Sequence, residues 1–246
     1  MDVKKILPDL LNWIKETVGD ATVVIGISGG KDSSVAAALC AKALGKEKVI
    51  GVMMPDGYQH DQDASRKLIA HLGIPSYDIN IQDITEASRE SIRKAISPEL
   101  TPQLKSNLGA RIRMTTLYNV AAMVGNARVC NTCNRSEDYV GYSTKFGDSA
   151  GDFSPLSHLL VKEVKELGRL LGLPEDLVEK APEDGLSGKT DEDNLGFSYA
   201  TLDHYILTGE CPIRKPRRRS TACTRPISIR YCRCPRSCQR RNVKCA

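Results

Sequence analysis

The sequence predicts a doubly wound α/β fold built on a parallel sheet. Short β-branched or apolar runs alternate with longer stretches of helical periodicity along residues 1–210, the pattern of repeated strand–helix–strand units with helices on both faces. Glycines such as Gly45 and Gly73 close helical stretches just before the next apolar run begins. With 246 residues, 41% hydrophobic and 26% charged, the chain can bury one large core. These values exclude a secreted mini-protein and a disordered chain. No apolar run reaches the roughly 20 residues a membrane span needs. Met1 to Leu7 includes Asp2, Lys4 and Lys5 and shows no apolar stretch of a secretory leader, so no secretory signal is expected.

Each element follows from its own pattern. Residues 2–18 place Ile6, Leu7, Leu10, Leu11, Ile14 and Val18 at helical spacing, with charges between them. Ala21–Ile27 is a β-branched run bounded by Asp20 and Ser28-Gly29-Gly30, and predicts a buried strand. Ser33 to Leu44 is Ala-rich and helical. Lys48–Met54 predicts a second strand stopped by Pro55, Asp61–Leu72 a helix and Ser76–Ile81 a third strand. Asp83–Ile96 and Leu104 to about Gly125 predict helices, and Ala127–Thr132 a fourth strand. Val161–Leu171, Pro174–Lys180 and Ser198–Leu207 complete the helices. In such folds ligands bind beyond the carboxyl ends of the strands. The chemistry is therefore expected just after Ile27, Met54, Ile81 and Val129.

The stretch Gly26-Ile27-Ser28-Gly29-Gly30-Lys31-Asp32-Ser33-Ser34 joins the first strand to the following helix. Adjacent glycines let backbone N–H groups turn inward, and the helix N-terminus behind them favours an anion. Ser28, Ser33 and Ser34 offer hydroxyl donors. Asp32 would repel a phosphate, but it makes sense as a ligand for a Mg²⁺ ion bound to that phosphate. The plainer alternative is a tight turn with Asp32 or Ser33 capping the helix. The spacing matches neither the Gly-x-x-x-x-Gly-Lys-Ser/Thr loop nor Gly-x-Gly-x-x-Gly.

This loop resembles the pyrophosphate loop of ATP pyrophosphatases, which cleave ATP between its α and β phosphates. Four more strings narrow the resemblance to ammonia-dependent NAD synthetase. They are Asn107 to Met114 followed by Tyr118; Asn131-Thr132-Cys133-Asn134-Arg135-Ser136-Glu137; Gly141 to Asp148 leading to Asp152 and Pro155; and Lys180 through Gly185-Leu186 to Thr190-Asp191-Glu192 and Gly196. The resemblance spans about 1–210.

The resemblance implies a Rossmann-like fold of the adenine-nucleotide alpha-hydrolase type. It implies that Gly26, Ile27, Ser28, Gly29, Gly30, Lys31, Asp32, Ser33 and Thr132 bind ATP, with Ser28 and Asp32 acting in catalysis. Asp32 and Glu137 would hold Mg²⁺, and Arg111, Lys145 and Asp152 would contact deamido-NAD. Each has a plainer alternative: Arg111 and Arg113 as a solvated helix face, Glu137 as a capping acid, Lys145 as a surface lysine. The implied reaction joins ammonia to deamido-NAD through an acyl-adenylate, releasing AMP and pyrophosphate. A cytoplasmic homodimer is implied, with ammonia free or supplied by a separate glutaminase. Three positions depart from the family's pattern: Cys133 replaces a glycine, Val161 stands where a lysine is usual, and Glu183 replaces Ser or Thr. Cys133 is expected to pack, since amidation needs no thiol nucleophile.

Charge divides the chain. Residues 211–246 hold ten Arg, two Lys and no acid, for a charge of +12, and six of the nine Cys. The remainder carries −7, with Cys40, Cys130 and Cys133 as its only cysteines, the usage of a reducing compartment. The tail could bind nucleic acid, and Cys232-x-Cys234 with Cys238 and Cys245 could hold zinc, though the spacing matches no standard knuckle pair. The favoured expectation is a frameshifted ending. Read one base out of register from Arg225, permitted codons give Ala-Asn-Phe-His, like the family's His-containing end. The rival functions are another ATP pyrophosphatase, of GMP synthetase or tRNA-modifying type, and a nucleic-acid-binding protein using the basic tail. Neither a nucleic-acid nor a membrane partner is expected.

Overall fold

In the computed structural model the described residues are 2–57, 62–180 and 190–210. Four parallel strands pair in the order β3–β2–β1–β4: β1 (Thr22–Gly26), β2 (Val49–Met53), β3 (Ser76–Asp78) and β4 (Ala127–Cys130). Val24 of β1 stands opposite Ile50 of β2 on one side and Val129 of β4 on the other. Successive strand side chains point to opposite faces. Val23 and Ile25 accordingly join one core with α1 (Val3–Val18), α2 (Lys31–Leu44), α7 (Val161–Leu170) and α8 (Glu175–Val178). Val24, Val52 and Val129 join a second with Met114, Leu117 and Ala121 of α5 (Pro102–Val124). Both faces of the sheet are covered, which is why its strands are almost continuously apolar. Burial of each such side chain contributes about 1.5–3 kcal/mol relative to exposure.

The remaining helices are α3 (Gln62–Leu72), α4 (Gln82–Ala95), α6 (Arg135–Val140), α9 (Asp191–Leu195) and α10 (Tyr199–Thr208). A small third cluster of Val161, Tyr199 and Leu202 packs α10 against the start of α7.

The doubly wound parallel fold stands as expected, and three local expectations need correction. The third strand is shorter than expected and stops at Asp78: Ile79 N and Ile81 N still donate to Met53 O and Pro55 O, but Pro55 has no N–H to continue the ladder, and Asn80 Oδ1 accepts from Gly57 N and Gln82 N as the chain enters α4. The fourth strand stops at Cys130, since the Asn131 side chain takes over the bonding there. Helix α2 begins at Lys31 with Gly30 as N-cap, so neither Asp32 nor Ser33 is the cap. Short α6 and α9, and a 3₁₀ turn over Lys46–Lys48, were not legible from periodicity; one turn of helix has too few residues to show it. The tail, Glu183 and the start of the Asp61–Leu72 helix lie outside the described residues.

Candidate active site

Strands β1 and β4 are neighbours, and the chain leaves their carboxyl ends by two loops that meet. The first runs from Gly26 to Lys31. Gly29 has φ +77°, and a Cβ there would come 2.9 Å from Ala64 Cβ and 3.0 Å from Ser65 N. Glycine is therefore required by both backbone and space. Helix α3 closes on this loop, with Ser65 Oγ donating to Ile27 O. Ser28 is exposed, and its hydroxyl accepts from Gly30 N at 3.3 Å. Ser33 Oγ accepts from Ser28 N and donates to Gly30 O. Helix α2, 14 residues long, starts with no side-chain cap, which leaves its N-terminal turn open to an anion.

Three of the residues expected at the phosphates have other surroundings. Ser34 is fully buried and donates to Gly30 O at 2.8 Å, so its hydroxyl is spent inside the fold. The Ile27 side chain is buried against Gly51 and leaves only backbone for a ligand. Lys31, expected to reach ATP, is 2% exposed and paired with Asp32 at 2.7 Å beneath the Tyr199 ring. Its ion-pair partner is the next residue, and only the covering ring of Tyr199 comes from a helix far along the sequence.

The second loop carries Asn131, Thr132, Cys133 and Asn134 into α6. Asn131 holds it: Nδ2 donates to Asp148 O and Ala150 O, while Oδ1 accepts from Cys133 N and Ser154 Oγ. Thr132 is half-buried at the end of β4. Cys133 packs as expected, with Sγ 3.2 Å from Asp148 O and burial pushing its thiol far up. Asn134 and Glu137 form a capping box, in which Glu137 Oε2 accepts from Asn134 N and Asn134 Oδ1 accepts from Glu137 N. The capping alternative for Glu137 is thus correct. It leaves the second carboxylate oxygen uncommitted to the cap.

Glu137 and Asp32 are brought together. Burial raises the Glu137 carboxyl well above the usual range, and the Asp32 charge raises it further, while Lys31 pulls it back. Two acids held against each other in a part-buried site suit a hard cation, whose charge would remove both penalties. Burial pulls the Lys31 ammonium down, but Asp32 and Glu137 outweigh it and its pKa is raised. Asp191 at the start of α9 adds to the same field, and Tyr199 Oη donates to Asp191 Oδ2 at 3.4 Å. Among the described residues no three His, Cys, Asp or Glu form a ready cation cage, so two carboxylates would share the ion with phosphate oxygens and water.

Arg111 and Lys145 also meet. Arg111 Nε donates to Lys145 O at 3.1 Å, which links α5 to the 141–148 segment. Lys145 Nζ lies 4.9 Å from the Phe146 ring centre; Phe146 is 71% exposed and has φ +62°. Asp152 is further committed than expected. Its carboxylate accepts from Val129 N at 2.7 Å and from Tyr118 Oη at 3.2 Å, so it braces β4 against α5. Arg113 is not a solvated helix residue: its Nε donates to Met54 O at the end of β2, and burial lowers its pKa. Gly26 is packed against Met54 and Leu117. Val161 is buried in the third core cluster and offers nothing to a nucleotide.

Sequence reasoning missed Asn134, Asp191 and Tyr199 as members of this site. The Asn134-x-x-Glu137 and Thr190-x-x-Asp193 spacings of capping boxes were available signals. Nothing local marked Tyr199.

The family model for NAD synthase matches residues 5–221. The chain is 41% identical over 207 residues to the NH(3)-dependent NAD(+) synthetase of Pyrococcus furiosus, covering 84% of this chain and 78% of that protein. It is 40% identical over 206 residues to the enzyme of the same name from Carboxydothermus hydrogenoformans, covering 82% and 84%. Among solved structures it resembles NMN synthetase from Francisella tularensis, with TM-score 0.78, 38% identity and 85% and 87% of the two chains covered. It also resembles the NH3-dependent NAD synthetase of Campylobacter jejuni, with TM-score 0.68, 34% identity and 86% and 90% covered.

Proposed function

The chain belongs to the NAD synthase family, and from that premise we propose that it joins ammonia to deamido-NAD at the expense of ATP, yielding NAD, AMP and pyrophosphate. The observation that carries this reading is the meeting of the glycine loop with the Asp32–Glu137 pair beyond β1 and β4.

In this mechanism the ATP β and γ phosphates sit on the loop amides from Ile27 to Ser33 and the open N-terminus of α2, with Ser28 Oγ as the exposed hydroxyl donor. Thr132 faces ATP from the β4 side. The nicotinate carboxylate of deamido-NAD attacks the α-phosphorus, an acyl-adenylate forms and pyrophosphate leaves. Ammonia then attacks the acyl carbon and AMP departs. Donors fixed in advance stabilise the departing charge without reorganisation, and most of the acceleration comes from positioning. Asp32 and Glu137 would hold a Mg²⁺ ion, which supplies further neutralisation of the leaving phosphates. Arg111 and Lys145 bind the dinucleotide, while Asp152 orients Tyr118 and the end of β4 beside it.

We extend the proposal to a cytoplasmic homodimer using free ammonia or ammonia from a separate glutaminase. Exposed Met123 and Tyr118 on α5 offer apolar surface for a second copy. Residues 1–210 carry the activity in this reading, and 211–246 do not.

The likeness to NMN synthetase supports a second reading with the same chemistry and a smaller acid, nicotinate mononucleotide. The experiment is product analysis of the purified full chain with ATP, Mg²⁺, ammonium and either acid. NAD formed with one AMP and one pyrophosphate per turnover is expected. NMN formed from the mononucleotide in preference moves the conclusion to the second reading. AMP release that is independent of both acids overturns both.

A further inference from the structure

Asp32 has no idle carboxylate oxygen. Oδ1 accepts from Asn134 Nδ2 at 2.9 Å, and Oδ2 is paired with Lys31 Nζ at 2.7 Å. Residues adjacent on a helix point in different directions, so the Lys31 side chain has to fold back across the first turn of α2 to reach its neighbour. It does so under cover, 2% exposed, with its ammonium 5.5 Å from the centre of the Tyr199 ring. Glu137 and Asp191 surround the same ammonium with negative charge. A lysine so placed is a permanent cation standing where Asp32 would receive a metal.

We propose that Lys31 is the resident counter-cation of this site, a positioning residue that makes metal uptake depend on the nucleotide. Without ATP it holds Asp32 in place and offsets the joint charge of Asp32, Glu137 and Asp191. A free divalent ion must then approach against an ammonium and displace it from Asp32 Oδ2, so it binds weakly. A triphosphate brings several negative charges to the loop beside Lys31, which outweigh the lysine and admit the metal as part of the nucleotide complex. Charges this close, in a site largely screened from water, interact far more strongly than exposed ones. The inference rests on Asp32 and Glu137 being the divalent-cation ligands.

The test is Mn²⁺ binding, followed by the electron paramagnetic resonance of the free ion, to the full chain without nucleotide. Lys31→Met is expected to bind Mn²⁺ at least tenfold more tightly than the parent, and Lys31→Arg to match the parent. Lys31→Met should also melt at lower temperature in chelator, and Mn²⁺ should restore more of that loss than it adds to the parent. A purely structural lysine would lower the melting temperature without changing the Mn²⁺ affinity. Affinity in Lys31→Met equal to or weaker than the parent's, or no measurable binding to either, overturns the inference. If the methionine variant does not fold, Lys31→Gln carries the same expectation. Asp32→Asn and Glu137→Gln separate the two levels. If neither alters Mn²⁺ uptake in the presence of ATP, the metal assignment itself fails. If they abolish it while removal of Lys31 tightens nothing, only the counter-cation role fails.

Discussion

Asn134 and Asp32 stand 102 residues apart in sequence and share a 2.9 Å hydrogen bond from Nδ2 to Oδ1. The other end of the Asn134 carboxamide accepts from Ser136 N and Glu137 N, each at 3.0 Å. One fully buried side chain thus fixes both the start of α6 and the first turn of α2. It sets the distance between the two loops that leave β1 and β4, and hence between Asp32 and Glu137.

Replacing Asn134 separates its two duties. Asn134→Ala loses the cap and the tie to Asp32, and should lower unfolding free energy by about 1–2 kcal/mol. Asn134→Asp keeps the cap acceptor but sets a third carboxylate against Asp32 and Glu137. Urea midpoints should therefore fall more for Ala than for Asp at acidic pH, while pyrophosphate release slows in both. Equal midpoints for Ala and parent would show that the cap contributes nothing.

Asp32→Asn should slow pyrophosphate release by roughly 100-fold or more, the scale of losing one group that stabilises transition-state charge. The substitution preserves size and removes charge. It also deprives the buried Lys31 of its nearest partner, so the melting temperature should fall while the transition stays cooperative, with Glu137 and Asp191 still offsetting the ammonium. A release rate close to the parent's would reject a metal or charge role for Asp32.

How far the sequence foretold this site depends on where each partner lies. The glycine loop was legible because its requirement is local: two glycines after a buried strand, with Gly29 forced by positive φ and by Ala64. Glu137 was legible as an acid near the site, and the Asn134 spacing explains its helix start. Lys31 was not. Its side chain folds back to Asp32 under cover of the Tyr199 ring, with Asp191 adding to the field, and those two residues reach it only through the packing of α9 and α10. The end of β3 failed for a related reason, since the apolar alternation through Ile79 and Ile81 continues while Asn80 already bonds as a turn residue.

Lys145→Ala should raise KM for deamido-NAD more than KM for ATP. Arg111 holds the Lys145 carbonyl, not its side chain, so truncation leaves the segment's backbone anchored and removes only the ammonium and its contact with Phe146. A lost ground-state contact appears in KM with little change in kcat. Steady-state kinetics with each substrate varied in turn decides it, and an effect confined to ATP would reassign the 141–148 segment.

Asp138 gives the clearest pH dependence. It lies in the first turn of α6, where the helix dipole favours a carboxylate, yet burial pushes its pKa up from 3.8 to about 6. The folded protein therefore holds this proton more tightly than the unfolded chain does. Stability from this group is fully present below the unfolded value of 3.8, is lost as pH rises towards about 6, and changes no further above that. Asp138→Asn carries no such charge. It should raise the urea midpoint relative to the parent at about pH 7.5 and give up most of that advantage at about pH 3.5. Comparing variant with parent at each pH in chelator removes the contributions of Glu137 and Asp191, whose carboxyls are also raised. A gain of the same size at both pH values would mean that the amide stabilises α6 by packing or hydrogen bonding, and that burial of the Asp138 charge costs the fold nothing.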